Sequence, residues 1–268
     1  MSTPHAARDI DTSRPHSARM YDYYLGGKDH FAVDKQAAET VAEAYPGIFT
    51  CARENRAFMH RATRVLATEY GIRQWLDIGT GIPTEPNLHQ VAQSVVPEAR
   101  VVYADNDPLV LKYAERLMRS TPQGRTTYIE ADVNDPASLA DAPELTEVLD
   151  LSKPVALSLN ALMHFVTDAQ GPYEIVGRLM DMLPSGSALA LSHCTPDFDP
   201  ETWEKVTAIY TGAGTPVQFR SHDAVARFFD GLDLLEPGVT VGHRWRPDIT
   251  PEFSHAEVSL WTGVGIKP

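Results

Sequence analysis

The most informative segment of the sequence is Trp75-Leu-Asp-Ile-Gly-Thr-Gly-Ile-Pro-Thr84. An apolar stretch leads up to Asp77. Gly79 and Gly81 then allow a tight turn in which the backbone can approach a ligand closely. A Gly-x-Gly pair alone is weak evidence, because many α/β proteins have glycines in their first turn. The segment predicts a strand, a ligand-binding turn and then a helix that extends to about Val96.

Two details of this turn indicate the type of ligand. A dinucleotide-binding turn would have a third glycine at position 84, so that a helix N-terminus could contact a pyrophosphate. This chain has Thr84 there, with Pro83 and Pro86 close by. Asp77, two residues before the first glycine, would instead suit a ligand that carries an ammonium group.

A second acidic group follows the next apolar run, in Val101-Val-Tyr-Ala-Asp-Asn-Asp-Pro108. A carboxylate at the tip of the second strand of a doubly wound sheet binds ribose hydroxyls, because it can accept two hydrogen bonds. Asp105 fits this role, since its distance from Gly81 leaves room for one helix. Asp107 is better placed to cap the helix that begins at Pro108.

A third acidic residue lies in Tyr128-Ile-Glu-Ala-Asp-Val133, directly after another apolar run. Asp132 could accept a hydrogen bond from an adenine amino group, although an aspartate in this position is more often a turn residue. The carboxyl ends of parallel strands meet at one edge of the sheet, where open α/β folds bind ligands. We therefore expect Asp77, Asp105 and Asp132 to lie along that edge.

The alternation of apolar runs and amphipathic segments predicts the fold class. Strands are predicted over Ile72–Ile78, Arg100–Ala104, Thr126–Glu130, Val155–Leu159, Ala188–Ser192, Leu234–Val241 and Glu257–Val264. Helices are predicted over Asn55–Tyr70, Pro108–Arg119, Gly171–Leu183, Pro200–Tyr210 and Asp223–Phe229. This order indicates an α/β fold with a doubly wound, mostly parallel sheet of seven strands that is covered on both faces. The last two strands have no helix between them and are expected to pair antiparallel at one edge.

The N-terminal part of the chain differs from the rest. Residues 1–18 are polar and predict a disordered tail, residues 19–70 a helical cap, and residues 71–268 the ligand-binding core. Tyr21 and Tyr24 fall on one face of a helix, and the Gly26-Gly27 pair after them suits a hinge or a helix stop. We interpret this aromatic run as a lid over the pocket, although a packing or dimer surface would need the same residues.

The three strand ends together resemble the cofactor motifs of class I S-adenosylmethionine-dependent methyltransferases. The pattern departs at Pro83, where many members have a third glycine. More specifically, the chain is similar to an actinobacterial family of S-adenosyl methyltransferases of undefined acceptor. That similarity rests on Ser17-Ala-Arg-Met-Tyr-Asp-Tyr-Tyr-Leu-Gly-Gly-Lys-Asp-His-Phe31, Leu76-Asp-Ile-Gly-Thr-Gly-Ile-Pro-Thr84, Val102-Tyr-Ala-Asp-Asn-Asp-Pro108 and Leu191-Ser-His193.

The resemblance implies S-adenosylmethionine as the cofactor and supplies no substrate. It also implies a Rossmann-like methyltransferase fold. Carried over to this chain, it implies these cofactor-binding residues: Asp77, Gly79, Thr80, Gly81, Asp105, Asn106, Asp132, Val133 and Asn160.

In this fold the acceptor approaches over the end of the fourth strand, here within Ser158-Leu-Asn-Ala-Leu-Met-His-Phe165. Met163 and Phe165 are therefore expected on the acceptor side, together with His193 after the fifth strand. His164 is the candidate general base, which would deprotonate an oxygen or nitrogen acceptor. A hydrogen-bonded structural histidine is the alternative interpretation.

Composition limits the classes of partner. The formal net charge of −13 argues against a nucleic-acid substrate, which would need a basic face. No stretch approaches the roughly 20 apolar residues that span a bilayer, and the polar N-terminus lacks the apolar core of a signal peptide, so we expect no membrane partner and a cytoplasmic protein. Cys51 and Cys194 are expected to be free thiols, and no metal site is predicted. The densest basic cluster is interpreted as a solvated helical face: Arg53, Arg56, Arg61 and Arg64.

These observations predict transfer of a methyl group to a small-molecule acceptor, and they leave a homodimer open. Two alternatives remain. One is a nicotinamide-dependent oxidoreductase, against which Thr84 counts. The other is a non-catalytic module that binds S-adenosylmethionine, because no indispensable catalytic residue is evident in the sequence.

Overall fold

A mixed β-sheet forms the centre of the molecule in the computed structural model, which describes residues 11–113, 119–249 and 251–268. Within these residues the sheet has eight strands: β1 Gln74–Ile78, β2 Arg100–Asp105, β3 Arg125–Glu130, β4 Ala156–Asn160, β5 Ala188–Cys194, β6 Asp233–Leu234, β7 Thr240–Val241 and β8 Leu260–Ile266. The strand order is β3-β2-β1-β4-β5-β8-β6, and β7 also pairs with β8. Strands β1 to β5 are parallel, whereas β8 is antiparallel to β5, β6 and β7.

The central strands carry apolar side chains on both faces of the sheet, which explains why their sequences are continuous apolar runs. Trp75 and Val101 pack into the cluster on one face, while their neighbours Leu76 and Val102 pack into the cluster on the other. Successive residues of a strand point to opposite faces, so both faces need a helical cover. The predicted doubly wound α/β arrangement is therefore present, in a mixed sheet.

Helices cover both faces and the N-terminal side of the sheet. They are α1 Ser17–Tyr24, α2 Ala32–Ala44, α3 Ile48–Thr68, α4 Leu88–Val95, α5 Pro108–Lys112, α6 Pro136–Ala140, α7 Pro143–Val148, α8 Pro172–Asp181, α9 Pro200–Gly212, α10 His222–Ala226 and α11 His255–Val258. Five of them begin at a proline, which has no N–H to leave unpaired in the first turn. The side chains of Asp135 and Asp199 cap two of these helices.

The structure corrects the prediction at the C-terminal edge. One strand was expected over Leu234–Val241, but two short strands occur there, so the described residues contain eight strands rather than seven. The last strand begins at Leu260 instead of Glu257, because Ser254 and Glu257 form a capping box that starts α11. The predicted antiparallel pairing is present, although β8 lies inside the sheet between β5 and β6.

Other predicted boundaries shift by smaller amounts. The helix expected from Asn55 begins earlier, at Ile48, and runs to Thr68. Of the helix expected over Pro108–Arg119, α5 covers Pro108–Lys112, and residues 114–118 lie outside the described residues. Residues 1–10 of the predicted tail also lie outside them, and α1 begins at Ser17, inside the segment that was assigned to the tail.

The first three helices pack together with α9 at one end of the sheet. Met20 of α1, Val41 of α2 and Cys51 of α3 share an apolar cluster with Trp203 of α9 and Leu260 of β8. This cluster lies beside the ends of β5 and β8, since Cys194 at the end of β5 is also a member. In the part of the chain that the structure describes, no helix is long and apolar enough to span a bilayer.

Candidate functional site

A cavity of about 160 Å³ lies at the carboxyl edge of the parallel strands. Asp105 at the end of β2, Asp77 in β1, Asn160 at the end of β4 and Cys194 at the end of β5 all line it. One water molecule needs only roughly 10–15 Å³ of such space, so the cavity can hold a ligand of many atoms. The sheet topology therefore brings three of the predicted site residues to one place.

The turn between β1 and α4 forms the floor of this cavity. Gly79 has a φ of 71°, and a Cβ there would lie 2.7 Å from a side-chain carbon of Leu162, so that both backbone angle and space favour glycine. The N–H groups of Gly79 and Thr80 donate to the Ala104 carbonyl, which fixes the turn against β2. All four predicted residues of the turn line the cavity: Asp77, Gly79, Thr80 and Gly81.

Asp105 lies in the centre of the cavity wall and is 6% exposed. Its Oδ2 accepts from the Gly81 N–H at 2.7 Å and its Oδ1 accepts from the Asp107 N–H at 2.9 Å. Each carboxylate oxygen has a second lone pair, so two further donors such as vicinal hydroxyls can still be bound. Burial raises the pKa of Asp105, and the two backbone N–H groups oppose this shift.

Asp77 is partly buried below the turn. Its Oδ2 accepts from the Thr80 hydroxyl at 2.9 Å. Burial raises the pKa of Asp77 to about 6, against the opposing effects of the Ser158 and Thr80 hydroxyls and of the Arg56 guanidinium. A ligand cation bound here would stabilise the ionised form of Asp77 and lower its pKa again.

Arg56 of α3 lines the same cavity, acts on the charge of Asp77 and was not identified as a site residue from the sequence. Its Nη2 donates to the carbonyls of Thr84 and Pro86, both at 2.6 Å. These are its hydrogen bonds within the described residues, which leaves Nε and Nη1 for a ligand anion. The acidic turn and this arginine can together hold a zwitterion.

The end of β4 forms the next part of the wall. Ala161 has a φ of 51°, a strained angle for alanine, and its N–H donates to the Ser192 hydroxyl at 2.8 Å. The preceding Asn160 donates through Nδ2 to Ser158 at 2.6 Å, while its Oδ1 is buried and has no partner among the described residues. An unpartnered oxygen beside a cavity is a group that a ligand donor can satisfy.

His164 follows in a short 3₁₀ turn, Met163–Phe165, and lines the cavity together with Phe165. The ring of His164 forms no hydrogen bond within the described residues, and its Nδ1 is fully enclosed. Burial, then the neighbouring His193 and Arg220, lower the pKa of His164 well below its usual value. The imidazole is consequently neutral at neutral pH and can accept a proton or a hydrogen bond.

Three predicted residues do not line the cavity. Asp132 is exposed and accepts from the Asn134 N–H and side-chain amide, as a turn residue does. Met163 is fully buried in the core on one face of the sheet. His193 is also fully buried, where its Nδ1–H donates to the Cys194 carbonyl at 2.7 Å and its Nε2 accepts from Arg220 at 3.1 Å.

His193 and Arg220 belong to one buried hydrogen-bond network. Burial lowers the pKa of His193 to about 3, so the ring stays neutral. Arg220 also donates to the carbonyls of Met163 and Val166 at 2.9 Å. It therefore holds the turn that presents His164 to the cavity.

The N-terminal helix covers the other side of the cavity. Tyr21 and Tyr24 of α1 both line it, and the two side chains share one face of the helix. The Tyr21 hydroxyl accepts from the Asn55 amide at 2.7 Å, and Asn55 accepts in turn from the Ser192 hydroxyl. Gly26 has a φ of 77° and follows the end of α1, so the glycine pair is a helix stop here.

A buried ion pair attaches the same helix to β2. Arg19 is 3% exposed, and its Nε and Nη2 donate to the two carboxylate oxygens of Asp107, each at 3.2 Å. Asp107 also accepts from the Leu109 N–H, in the capping role expected for it. Since Asp107 is two residues from Asp105, the contact connects α1 directly to the centre of the site.

The remaining predicted residues lie at the end beside β3. Asn106 is exposed and lines the cavity, and Val133 lines it together with Ala131. Within the described ranges no group of three or more His, Cys, Asp or Glu side chains is arranged to hold a metal ion. The aromatic residues that α9 contributes, Trp203 and Tyr210, were not identified from the sequence.

The chain was compared with known protein families and with solved structures. A family model described as S-adenosyl methyltransferase matches residues 3–268. A protein of the family of unknown function 574 from Streptomyces avermitilis has a similar crystal structure, with 49% identity, a TM-score of 0.95 and coverage of 97% of this chain and 100% of that one. A Thermobifida fusca protein that is provisionally described as a methyltransferase has 35% identity, a TM-score of 0.91 and coverage of 99% of each chain.

More distant structures share the fold alone. Magnesium protoporphyrin IX methyltransferase from Synechocystis, crystallised with S-adenosylhomocysteine, has 13% identity, a TM-score of 0.54 and coverage of 93% of each chain. No curated protein matched the chain. The family match confirms the resemblance that the strand-end motifs indicated.

Proposed function

The chain belongs to the S-adenosyl methyltransferase family, and from this premise we propose that its cavity binds S-adenosylmethionine along the strand ends and directs the methyl group to a small-molecule acceptor. The observation that carries the proposal is the position of Asp105. Its buried carboxylate is held by two backbone N–H groups and retains two lone pairs toward the cavity.

The order of groups along the edge fits the ligand from one end to the other. Ala131 and Val133 offer apolar contacts for adenine, and Asp105 accepts the ribose hydroxyls. Asp77 binds the ammonium group of the methionine moiety, while Arg56 binds its carboxylate. The sulfonium end lies beside Asn160, whose Oδ1 has no partner among the described residues and can accept a ligand contact.

The protein itself contributes to the reaction by positioning the acceptor and by hydrogen bonding to it. When bound, S-adenosylmethionine supplies an electrophilic methyl carbon, whose bond to sulfur breaks as the acceptor's lone pair attacks. Holding the acceptor in line with that bond can be worth up to roughly 7–11 kcal/mol. We propose that His164, whose neutral ring has no hydrogen bond to the described residues, accepts the proton or hydrogen bond of the acceptor.

The local geometry disfavours the nicotinamide-dependent alternative. In a dinucleotide-binding turn the helix starts at the glycines, so that its N-terminus meets the pyrophosphate. Here α4 begins at Leu88, seven residues after Gly81, and Thr84 occupies the place of the third glycine. The non-catalytic alternative predicts binding of S-adenosylmethionine without transfer of label to any acceptor, which a methyl-transfer assay on a metabolite extract distinguishes.

Two features support a small acceptor inside the cell. Past His164 the lining of the cavity is aromatic and apolar, with Phe165 and Tyr210, which suits a small acceptor. Cys51 and Cys194 are buried free thiols 3.9 Å apart, as expected in a reducing compartment. We therefore propose a cytoplasmic enzyme that acts on a small molecule.

Calorimetric titration tests the proposal. We expect S-adenosylhomocysteine to bind and NAD to give no heat of binding. The affinity should fall by up to tenfold per pH unit below pH 6, because Asp77, with a pKa of about 6, becomes protonated and loses its attraction for the ammonium group. NAD binding without any response to S-adenosylhomocysteine would disprove the proposed function.

We further propose that residues 17–31 form a lid over the bound cofactor. The Arg19–Asp107 ion pair joins the lid to the strand that carries Asp105, and the Tyr21–Asn55 hydrogen bond joins it to α3. The alternative, a packing or dimer surface, would not couple these contacts to cofactor binding. The proposal assigns residues 32–70 to the same helical cap and residues 71–268 to the cofactor-binding core.

Hydrogen exchange tests the lid. Amides of residues 17–31 should exchange more slowly once S-adenosylhomocysteine is added. Arg19→Met should remove most of that protection and weaken binding severalfold, because the buried Asp107 loses its charge partner. Lys35→Met, at an exposed pair with Glu39, is the matched control and should change neither. Equal exchange with and without ligand would favour the packing surface.

A further inference from the structure

The cavity changes character beyond His164, at the ends of β5 and β8. We call this part the acceptor chamber and define it by six lining residues: Phe165, Trp203, Val206, Tyr210, Phe219 and Leu260. All six belong to, or pack against, the apolar cluster formed with the N-terminal helices. The chamber lies three strand spacings from Asp105, or roughly 14 Å at about 4.8 Å per strand.

None of the six side chains that define the acceptor chamber is ionised. The charged side chains that line the cavity lie at its other end, where Asp77 is influenced by Arg56 and Asp105 by His16. Arg220, which acts on His164, is not a lining residue. A charged ligand group in such an apolar enclosure would lose its hydration without a compensating partner. Carboxylates, phosphates and protonated aliphatic amines are therefore disfavoured inside the chamber.

The titratable groups around the chamber are held in their neutral forms. Burial raises the pKa of Tyr24 and of Tyr210 far above the usual range, and their hydroxyls lie 3.4 Å apart. The contact with Cys194, followed by burial, raises the pKa of the Cys51 thiol. His164 is neutral because its pKa is lowered. The chamber thus offers hydrogen bonds but no charge.

Aromatic rings form most of its wall. The ring centroids of Trp203 and Phe219 are 4.5 Å apart, those of His164 and Phe165 4.4 Å, and those of Phe165 and Tyr210 6.0 Å. Edge and face contacts at these distances favour a further flat ring over a saturated one of equal size. The wall therefore selects for shape as well as for low polarity.

We propose that the acceptor is an uncharged aromatic small molecule that carries a hydroxyl, with its ring in the acceptor chamber and its hydroxyl beside His164. This inference rests on the proposed function and names its substrate class. The hydroxyl oxygen forms the new bond to the methyl carbon, the carbon–sulfur bond breaks, and its electron pair stays on sulfur. The hydroxyl proton passes by way of His164 to water, since the lowered pKa prevents the imidazole from keeping it.

Three probes of one skeleton test the inference by calorimetry on protein saturated with S-adenosylhomocysteine. They are 2-naphthol, the anion 2-naphthoate, and 2-decalol, which is the saturated alcohol. We expect 2-naphthol to bind about tenfold more tightly than either of the others, the ratio that 1.4 kcal/mol gives. Equal or tighter binding of 2-naphthoate, or equal binding of 2-decalol, would overturn the inference.

A pair of phenylalanine variants locates the bound probe. Phe165→Ala removes a chamber wall and should weaken 2-naphthol binding about tenfold, with the affinity for S-adenosylhomocysteine unchanged. Phe198→Ala is the matched control, because Phe198 packs on Trp261 and His255 at the edge of the same cluster without lining the cavity. Full 2-naphthol affinity in Phe165→Ala would overturn the inference.

The order of titrations separates this inference from the proposed function. S-adenosylhomocysteine is titrated first, and its failure to bind would disprove the proposed function before any probe is added. If it binds and the three probes do not differ, only the substrate class is wrong. Val206→Trp, which fills the chamber from α9, gives an independent check and should abolish 2-naphthol binding while S-adenosylhomocysteine still binds.

Discussion

Replacing Asp105 with alanine is expected to weaken the binding of S-adenosylmethionine and S-adenosylhomocysteine by about 1.5–3 kcal/mol, which is roughly a tenfold to 150-fold loss of affinity. The carboxylate is the proposed acceptor for both ribose hydroxyls, and hydrogen bonds to a charged group are the stronger kind. The substitution also leaves the Gly81 N–H without its 2.7 Å partner, so the turn beneath the ligand loses order. Calorimetric titration of the purified variant gives the measurement.

Asp132→Ala is the matched control for this experiment. Asp132 is likewise an aspartate that follows a strand of the same edge, but it is exposed and bonds within its own turn. Its replacement should leave the affinity for S-adenosylhomocysteine within about twofold, as is usual for surface sites. Thermal unfolding of both variants shows whether any loss at Asp105 reflects misfolding. An unchanged affinity for S-adenosylhomocysteine in Asp105→Ala would show that another residue binds the ribose hydroxyls.

Substitution of His164 by glutamine should reduce turnover by roughly a hundredfold or more, while the affinity for S-adenosylhomocysteine stays the same. Glutamine preserves size and part of the hydrogen bonding but removes the basic nitrogen. Because burial keeps the pKa of His164 well below its usual value, turnover of the wild-type protein with saturating substrates should show no step near pH 6.5. Label transfer to aromatic hydroxyl compounds measures both effects.

His193→Gln gives the corresponding control. The two rings are 5.4 Å apart and both are buried, but His193 makes two internal hydrogen bonds and does not line the cavity. Its variant should lose thermal stability and retain turnover per folded molecule. If His164→Gln behaves in the same way as this control, His164 is a structural histidine. If it loses only the affinity for the acceptor, it positions the acceptor and takes no proton.

Much of the fold could be predicted because local pattern and global topology agree. Each parallel strand is buried on both faces, so its apolar run is visible without knowledge of its neighbours. The sixth predicted strand was wrong, because Leu234–Val241 contains parts of two short strands that pair with different parts of β8. Such pairing depends on a distant strand, and local pattern carries no information about it.

The strand-end residues could be predicted for a topological reason. Asp77, Asp105 and Asn160 lie at or next to the carboxyl ends of parallel strands, and these ends share one edge whatever the details of the sheet. Asp132 could not be settled by the same reasoning, because an aspartate after a strand can face a ligand or bond within its own turn. The sequence is identical in the two cases, and the structure shows the second.

The rest of the site depends on helix packing. Arg56 belongs to a group of arginines that resembles a solvated helical face, yet it points into the cavity, while Arg61 donates to the Trp245 and Gly242 carbonyls. Trp203 and Tyr210 lie seven residues apart on one face of α9, a spacing that any packed helix shows. Only the way that α3 and α9 dock on the sheet turns these residues toward the ligand.

A crystal structure of the complex with S-adenosylhomocysteine tests the central claim most directly. The account predicts ribose hydroxyls on the Asp105 carboxylate, the amino acid part between Asp77 and Arg56, and the sulfur beside Asn160 with the acceptor chamber open beyond it. A nucleoside bound elsewhere, or bound in the reverse direction with its adenine in the chamber, would contradict both the assignment of the cavity and the substrate class inferred from it.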